Sequence, residues 1–192
     1  DHANFEVTTI AAQGASGTTL TITESNGFTL GDVNGVTNSS AQRANLTTTT
    51  GDLTIGHALF VARSATVRTL AAEALLTVNG AITTAATSGN FGITLISDKM
   101  DINTAVQPRA AKNHTLTIET TTAGTAINFG NVNTNNTANT LELSATELGF
   151  LRGQYVIIGD AAAGVLTVSS TATLMGTVSN RLITGSTLTA TA

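Results

Sequence analysis

The chain has 192 residues, 41% of them hydrophobic, which suits one domain with a buried core. Only 10% are charged, against about a quarter in an ordinary domain. Eight scattered basic residues against twelve acidic ones leave no nucleic-acid footprint, the lack of Cys excludes a disulfide scaffold or thiolate metal site, and no apolar run is long enough to span a membrane.

Thr supplies 39 residues, and Leu, Ile and Val recur among them in a fixed context, which a disordered chain lacks. In chain order the motif reads Thr19-Leu20-Thr21-Ile22, Asp52-Leu53-Thr54-Ile55, Leu75-Leu76-Thr77-Val78 and Ile93-Thr94-Leu95-Ile96. It continues as Thr115-Leu116-Thr117-Ile118, Thr140-Leu141-Glu142-Leu143, Val165-Leu166-Thr167-Val168 and Thr187-Leu188-Thr189-Ala190. After a longer first gap the central Leu recurs every 20–25 residues or so, the period of a solenoid. Within each unit apolar residues alternate with Thr, the pattern of a strand with one face inward. Shorter second strands are expected at Phe28-Thr29-Leu30, Ala81-Ile82, Met100-Asp101-Ile102 and Ile127-Asn128-Phe129. The segments from Leu20 to Asn34 and from Leu116 to Asn133 share one order of strand, turn, strand, Gly, acid or amide, Val, Asn, and read as an internal duplication.

A strand of four or five residues per unit cannot bury itself, so the units must stack. The expected architecture is all-β: a single-stranded parallel β-helix, or β-solenoid, of about 8–9 coils spaced about 4.8 Å apart, occupying residues 1–192 as one domain. The single Pro agrees, because Pro cannot donate to a ladder. One short helical excursion has two candidate places. Residues 62–76 are Ala-rich and partly fit a helical face, and Ser144-Ala145-Thr146-Glu147 has the spacing of a capping box.

Residues Leu141 to Leu148, Tyr155 to Asp160 and Ala161 to Val168 resemble the repeat of very large secreted bacterial proteins related to filamentous haemagglutinin. Gly51 to Gly56 and Leu76 to Ile82 do so too, and the resemblance covers roughly residues 15–190. It implies a right-handed coil, a place outside a bacterium or on its surface, and adhesion or matrix building. The family's amino-terminal secretion module and a signal peptide are not recognisable, so the chain is expected to be mature or one stretch of a longer rod.

Chemistry-bearing residues are sparse. Asp98-Lys99-Met100-Asp101 is the densest charged group and reads as a solvated turn rather than a carboxylate site. Asp32, Asp52 and Asp160, each after a Gly, are the calcium candidates; the plainer reading is a corner Asp bonding its own backbone. His2, His57 and His114 read as isolated, with no metal spacing and no Ser-His-Asp signature. Arg43, Arg63, Arg68, Arg109, Arg152 and Arg181 are dispersed, and Arg63 and Arg68 offer contacts to a glycan or a second subunit. Asn38, Asn45, Asn113 and Asn135 stand in glycosylation triplets, which so Thr- and Asn-rich a chain produces by chance.

The expected function is an extracellular structural or adhesive protein without catalysis or cofactor. It self-associates end-to-end or laterally, since no cap is visible at the carboxyl end. The alternative is a carbohydrate-binding or polysaccharide-degrading β-helix. A surface-binding solenoid with flat Thr ranks is disfavoured, because coil lengths of roughly 19 to 25 should break the register.

Overall fold

The computed structural model describes residues 7–15, 17–85, 89, 91–108, 114–130, 134–169, 179–182 and 188–190, the last two segments through their backbone pairing. The first turn contributes β1 (Thr9–Ile10) and β2 (Thr19–Glu24). The second holds β3 (Phe28–Leu30) and β4 (Asn38–Thr48), and the third β5 (Leu53–Ile55) and β6 (Ala58–Thr69). Next come β7 (Leu75–Val78), β8 (Ile82–Thr84) and β9 (Gly92–Ile96), then β10 (Lys99–Ile102), β11 (Val106–Gln107) and β12 (Thr115–Glu119). The remainder is β13 (Ala126–Phe129), β14 (Thr140–Leu143), α1 (Ala145–Phe150), β15 (Tyr155–Ile158), β16 (Leu166–Val168), β17 (Ser179–Leu182) and β18 (Leu188–Ala190).

All ladders between these strands are parallel, and the fold is a β-solenoid. One sheet runs β1-β3-β5-β7-β10, and a second contains β2-β4-β6-β9-β12-β15-β17. Inward positions of the second sheet stack apolar on apolar: Ile22, Leu46, Val67, Leu95, Ile118 and Ile158 form one column. From Leu46 onward this column is fully buried, in one continuous aliphatic core. Alternation alone produces this, because period-two side chains share a face.

The stack has about four regular turns rather than eight or nine. The eight Leu positions that suggested eight units do not lie on one face. Leu20, Leu95 and Leu116 belong to the second sheet, Leu53 and Leu76 to the first, and Leu141, Leu166 and Leu188 to a third. Each turn carries the apolar-Thr-apolar triplet on more than one side, so counting triplets does not count turns.

Residues 62–76 are not helical. Up to Thr69 they are strand β6, in which Val61, Ala65, Val67 and Thr69 alternate inward, and tertiary pairing outweighs the Ala preference for helix. The capping box does form. Ser144 Oγ accepts from the Glu147 N–H at 3.2 Å, and Glu147 Oε2 accepts from the Ser144 N–H at 2.8 Å. The two segments read as a duplication both run from a second-sheet strand through a turn into a short strand, β2 to β3 and β12 to β13; residues 131–133 lie outside the described ones.

The third sheet has the order β14-β13-β16-β18, and β14 packs beside β10. The chain therefore places β13 one level too far and returns to fit β14 into the gap. It then forms α1, bridges Leu151 to Val106 and lays β15 on β12. Thr115 and Tyr155 are consequently neighbours although 40 residues apart.

Candidate functional site on the second sheet

The charged groups predicted from sequence are largely consumed by the fold. Asp98 and Lys99 do not form a solvated turn: they are 1% and 4% exposed. Asp98 Oδ1 accepts from the N–H groups of Thr121 and Thr122, each at 2.9 Å, and its Oδ2 accepts from Thr122 Oγ1 at 2.6 Å. It ties one corner of the solenoid to the corner above. Lys99 Nζ donates to the carbonyls of Thr137 and Thr140 and lies 3.2 Å from Glu73 Oε2. These partners lie 23 to 41 residues away in the chain, so no local pattern announces them.

Asp52 Oδ1 accepts from the Leu75 N–H in the next turn, whereas Asp160 Oδ1 accepts from Ala162 and Ala163 within its own turn. Only Asp160 matches the expected corner that bonds its own backbone. Asp32 instead meets His57 Nδ1 at 3.1 Å. The three calcium candidates sit at separate corners, and among the described residues no three His, Asp or Glu side chains converge on a metal position.

His57 is not isolated. Its Nε2 lies 2.8 Å from Ser39 Oγ, which also accepts from the Ala12 N–H at 3.0 Å. An ionised Asp32 carboxylate can only accept, so in the neutral ring Nδ1–H donates to it and Nε2 accepts from the Ser39 hydroxyl. This is the hydrogen-bond order of a Ser-His-Asp triad, assembled from two adjacent turns, with Asp32 and Ser39 in the second and His57 in the third, and missed by sequence reading because no local signature encodes it. Ser39, however, is 0% exposed. A nucleophile must reach its substrate, so in this conformation the relay clamps turns together.

The open chemistry lies on the outward face of the second sheet. Thr21, Asn45, Thr66, Thr94 and Thr117 form a rank in register over five strands. Variable turn lengths do not break it, because loops absorb the differences while the ladder keeps strands about 4.8 Å apart. A groove of about 240 Å³ crosses three of these strands, lined by Ser64, Thr66, Gly92, Thr94, Thr115 and Thr117 with Phe91 at its wall. Gly92 lets β9 and β12 approach closely, since a Cβ there would stand 2.2 Å from the Thr115 carbonyl oxygen.

A bulge in β6 opposite Ala41–Arg43 brings Arg63 to the same place. Its guanidinium lies 5.3 Å from the centroid of the Phe91 ring, a cation–π contact. Beneath, Phe91 meets His114 edge-on, with ring centroids 6.2 Å apart. His114 is fully buried, and its ring nitrogens have no hydrogen-bond partner among the described residues. Arg43 and Arg68 are exposed, and Arg68 Nε donates to Thr47 Oγ1 at 3.1 Å. Asn45 lies in the rank, Asn38 Oδ1 accepts from Gln13, and Asn135 is in the loop before β14. Arg152 is exposed and its backbone N–H donates to the Val106 carbonyl, Arg181 is in β17, and His2, Arg109 and Asn113 lie outside the described residues.

Two carboxyls have displaced titrations. Burial pushes Glu119, on β12, above the ordinary carboxylate value, and nearby Asp160 adds to this. Burial also pushes Glu142 upward, but bonds from the Thr137 and Thr134 hydroxyls and the Thr134 and Asn135 backbone outweigh it and hold the group low.

Among the described residues no helix is long and apolar enough to cross a membrane. Comparison with protein-family models, with curated proteins and with solved structures gives no match, so the fold and its outward face carry the functional argument.

Proposed function

We propose that this chain is a structural and adhesive β-solenoid that works outside the cell through its lateral face, in the manner of the haemagglutinin-like repeat proteins its sequence resembles. The supporting observation is the in-register rank of hydroxyl and amide side chains from Thr21 to Thr117. A regular, weakly charged, hydrogen-bonding strip repeated at the strand spacing suits contact with an extended partner or with the same strip on a second copy. The buried charged groups support the same reading, since Asp98, Lys99 and Glu147 are spent on holding turns together.

The test is sedimentation and electron microscopy of the chain over rising concentration. Larger species or filaments are expected, and Thr66→Lys with Thr117→Lys should return them to single particles by like-charge repulsion. A chain that stays monomeric at every concentration removes self-association.

A second reading, cleavage of a polysaccharide, draws on Glu119. A carboxyl whose titration is raised by burial and by a nearby carboxylate, here Asp160, is the kind of pairing that glycoside hydrolysis uses. Release of reducing ends from an acidic polysaccharide, lost in Glu119→Gln, would favour it over adhesion alone.

A further inference from the structure

We propose that the groove across β6, β9 and β12 binds a carboxylated polysaccharide, with the Arg63–Phe91 pair as its clamp. The inference rests on the adhesive reading of this face and names the ligand that face takes.

Three features converge. The groove lining is hydroxyl-bearing, from Ser64, Thr66, Thr94, Thr115 and Thr117. Such a surface exchanges hydrogen bonds with sugar hydroxyls at little desolvation cost. Phe91 is the aromatic, apolar member of the lining and the platform on which Arg63 rests. Arg63 stacks there with its guanidinium edge free to meet a carboxylate in bidentate fashion.

Charge placement selects an acidic chain over a neutral one. The protein has a net charge of −4, yet Arg43, Arg63 and Arg68 lie on the two adjacent strands β4 and β6, all exposed. Arg43 is in register with Ser64 of the groove lining, whereas Glu119, at the far end of β12, shares its rank with Arg68, so the basic groups nearest the groove are Arg43 and Arg63. The groove crosses successive strands, so the ligand runs along the solenoid axis.

The experiment measures retention of the whole 192-residue chain on immobilised polygalacturonate, dextran sulfate and unmodified dextran, at low and high salt. Polygalacturonate should retain it, and dextran should not. Arg43→Gln, Arg63→Gln and Arg68→Gln combined should weaken binding about tenfold or more, because exposed charge pairs add and are salt-screened. Phe91→Ala should weaken it in a salt-independent way, and Arg152→Gln, outside the groove lining, should cost far less than the triple variant. The proposal is overturned if Arg152→Gln costs as much as the triple variant, if dextran sulfate alone binds, or if dextran binds equally. It is also overturned if no acidic polysaccharide is retained by a chain that still self-associates, which leaves the assembly reading standing. Retention by a strictly monomeric chain supports the groove and removes assembly instead.

Discussion

The Nζ of Lys99 lies 3.2 Å from Oε2 of Glu73, and this pair fastens β14, a strand that the chain lays down out of order. Glu73 sits in the turn before β7 with φ of 63°, and its Oε1 accepts from the Asn139 N–H at 2.8 Å. Lys99, at the start of β10, donates to the carbonyls on either side of Asn139. One buried ammonium and one half-exposed carboxylate thus hold the loop that returns the chain to β14. Such a contact is valuable where ladder hydrogen bonds do not join β10 to β14.

Lys99→Met should therefore destabilise the chain by roughly 1–3 kcal/mol, because the buried ammonium's bonds to two part-buried carbonyls and its ion pair are lost together. Glu73→Gln should cost about 1 kcal/mol or less, since that side chain is 42% exposed and its ion pair is screened. Urea unfolding of both variants checks this ranking. Equal costs would mean the carbonyl bonds contribute nothing beyond the ion pair.

Glu142 predicts a specific acid sensitivity. Its folded titration lies below the ordinary value, so its contribution is present above about pH 4.3, the unfolded value, and is lost as pH falls through the folded one. Glu142→Gln should lower stability at pH 7 by roughly 1–3 kcal/mol, through weaker bonds to Thr134 and Thr137. The gap between wild type and variant should close with acidification, as thermal melts over a pH series would record.

Glu119 predicts the opposite sign. Its folded titration is raised, so the native state holds the proton more tightly than the unfolded chain does. Stability falls as pH rises from the unfolded value through the folded one, and the penalty persists above it. Glu119→Gln should raise the melting temperature at pH 7 and leave it unchanged at pH 3. A variant that melts lower at pH 7 would show that the carboxylate makes a favourable contact there.

The Ser39–His57 contact makes a third kind of forecast. Ser39→Ala strips an acceptor from the part-buried Ala12 N–H and a partner from the buried His57 Nε2. A loss of about 1–3 kcal/mol is expected. Asp32→Asn should cost less, because Asp32 is 64% exposed at its side chain and water replaces part of its bond. Amide exchange at Ala12 should accelerate in Ser39→Ala before any global change.

Local physics made part of this molecule legible in its sequence. Apolar-Thr-apolar alternation at Leu20-Thr21-Ile22 or Leu116-Thr117-Ile118 admits only a strand with one buried face, and repetition of that strand demands stacking. The Ser144–Glu147 capping box is equally local, closing over three residues. What tertiary structure decided is which strands meet. The triplet at Leu53 and the triplet at Leu95 look alike but serve different sheets, because a strand's pattern states which face is inward and not which neighbour it pairs with. The number of turns and the inserted β14 follow from pairing, not from pattern. The same holds for the groove, where Ser64, Gly92 and Thr115 come together only through ladder register. It holds too for Asp98 and His57, whose partners lie a full turn away: backbone pairing carries each polar side chain to a bonding partner that no nearby residue supplies.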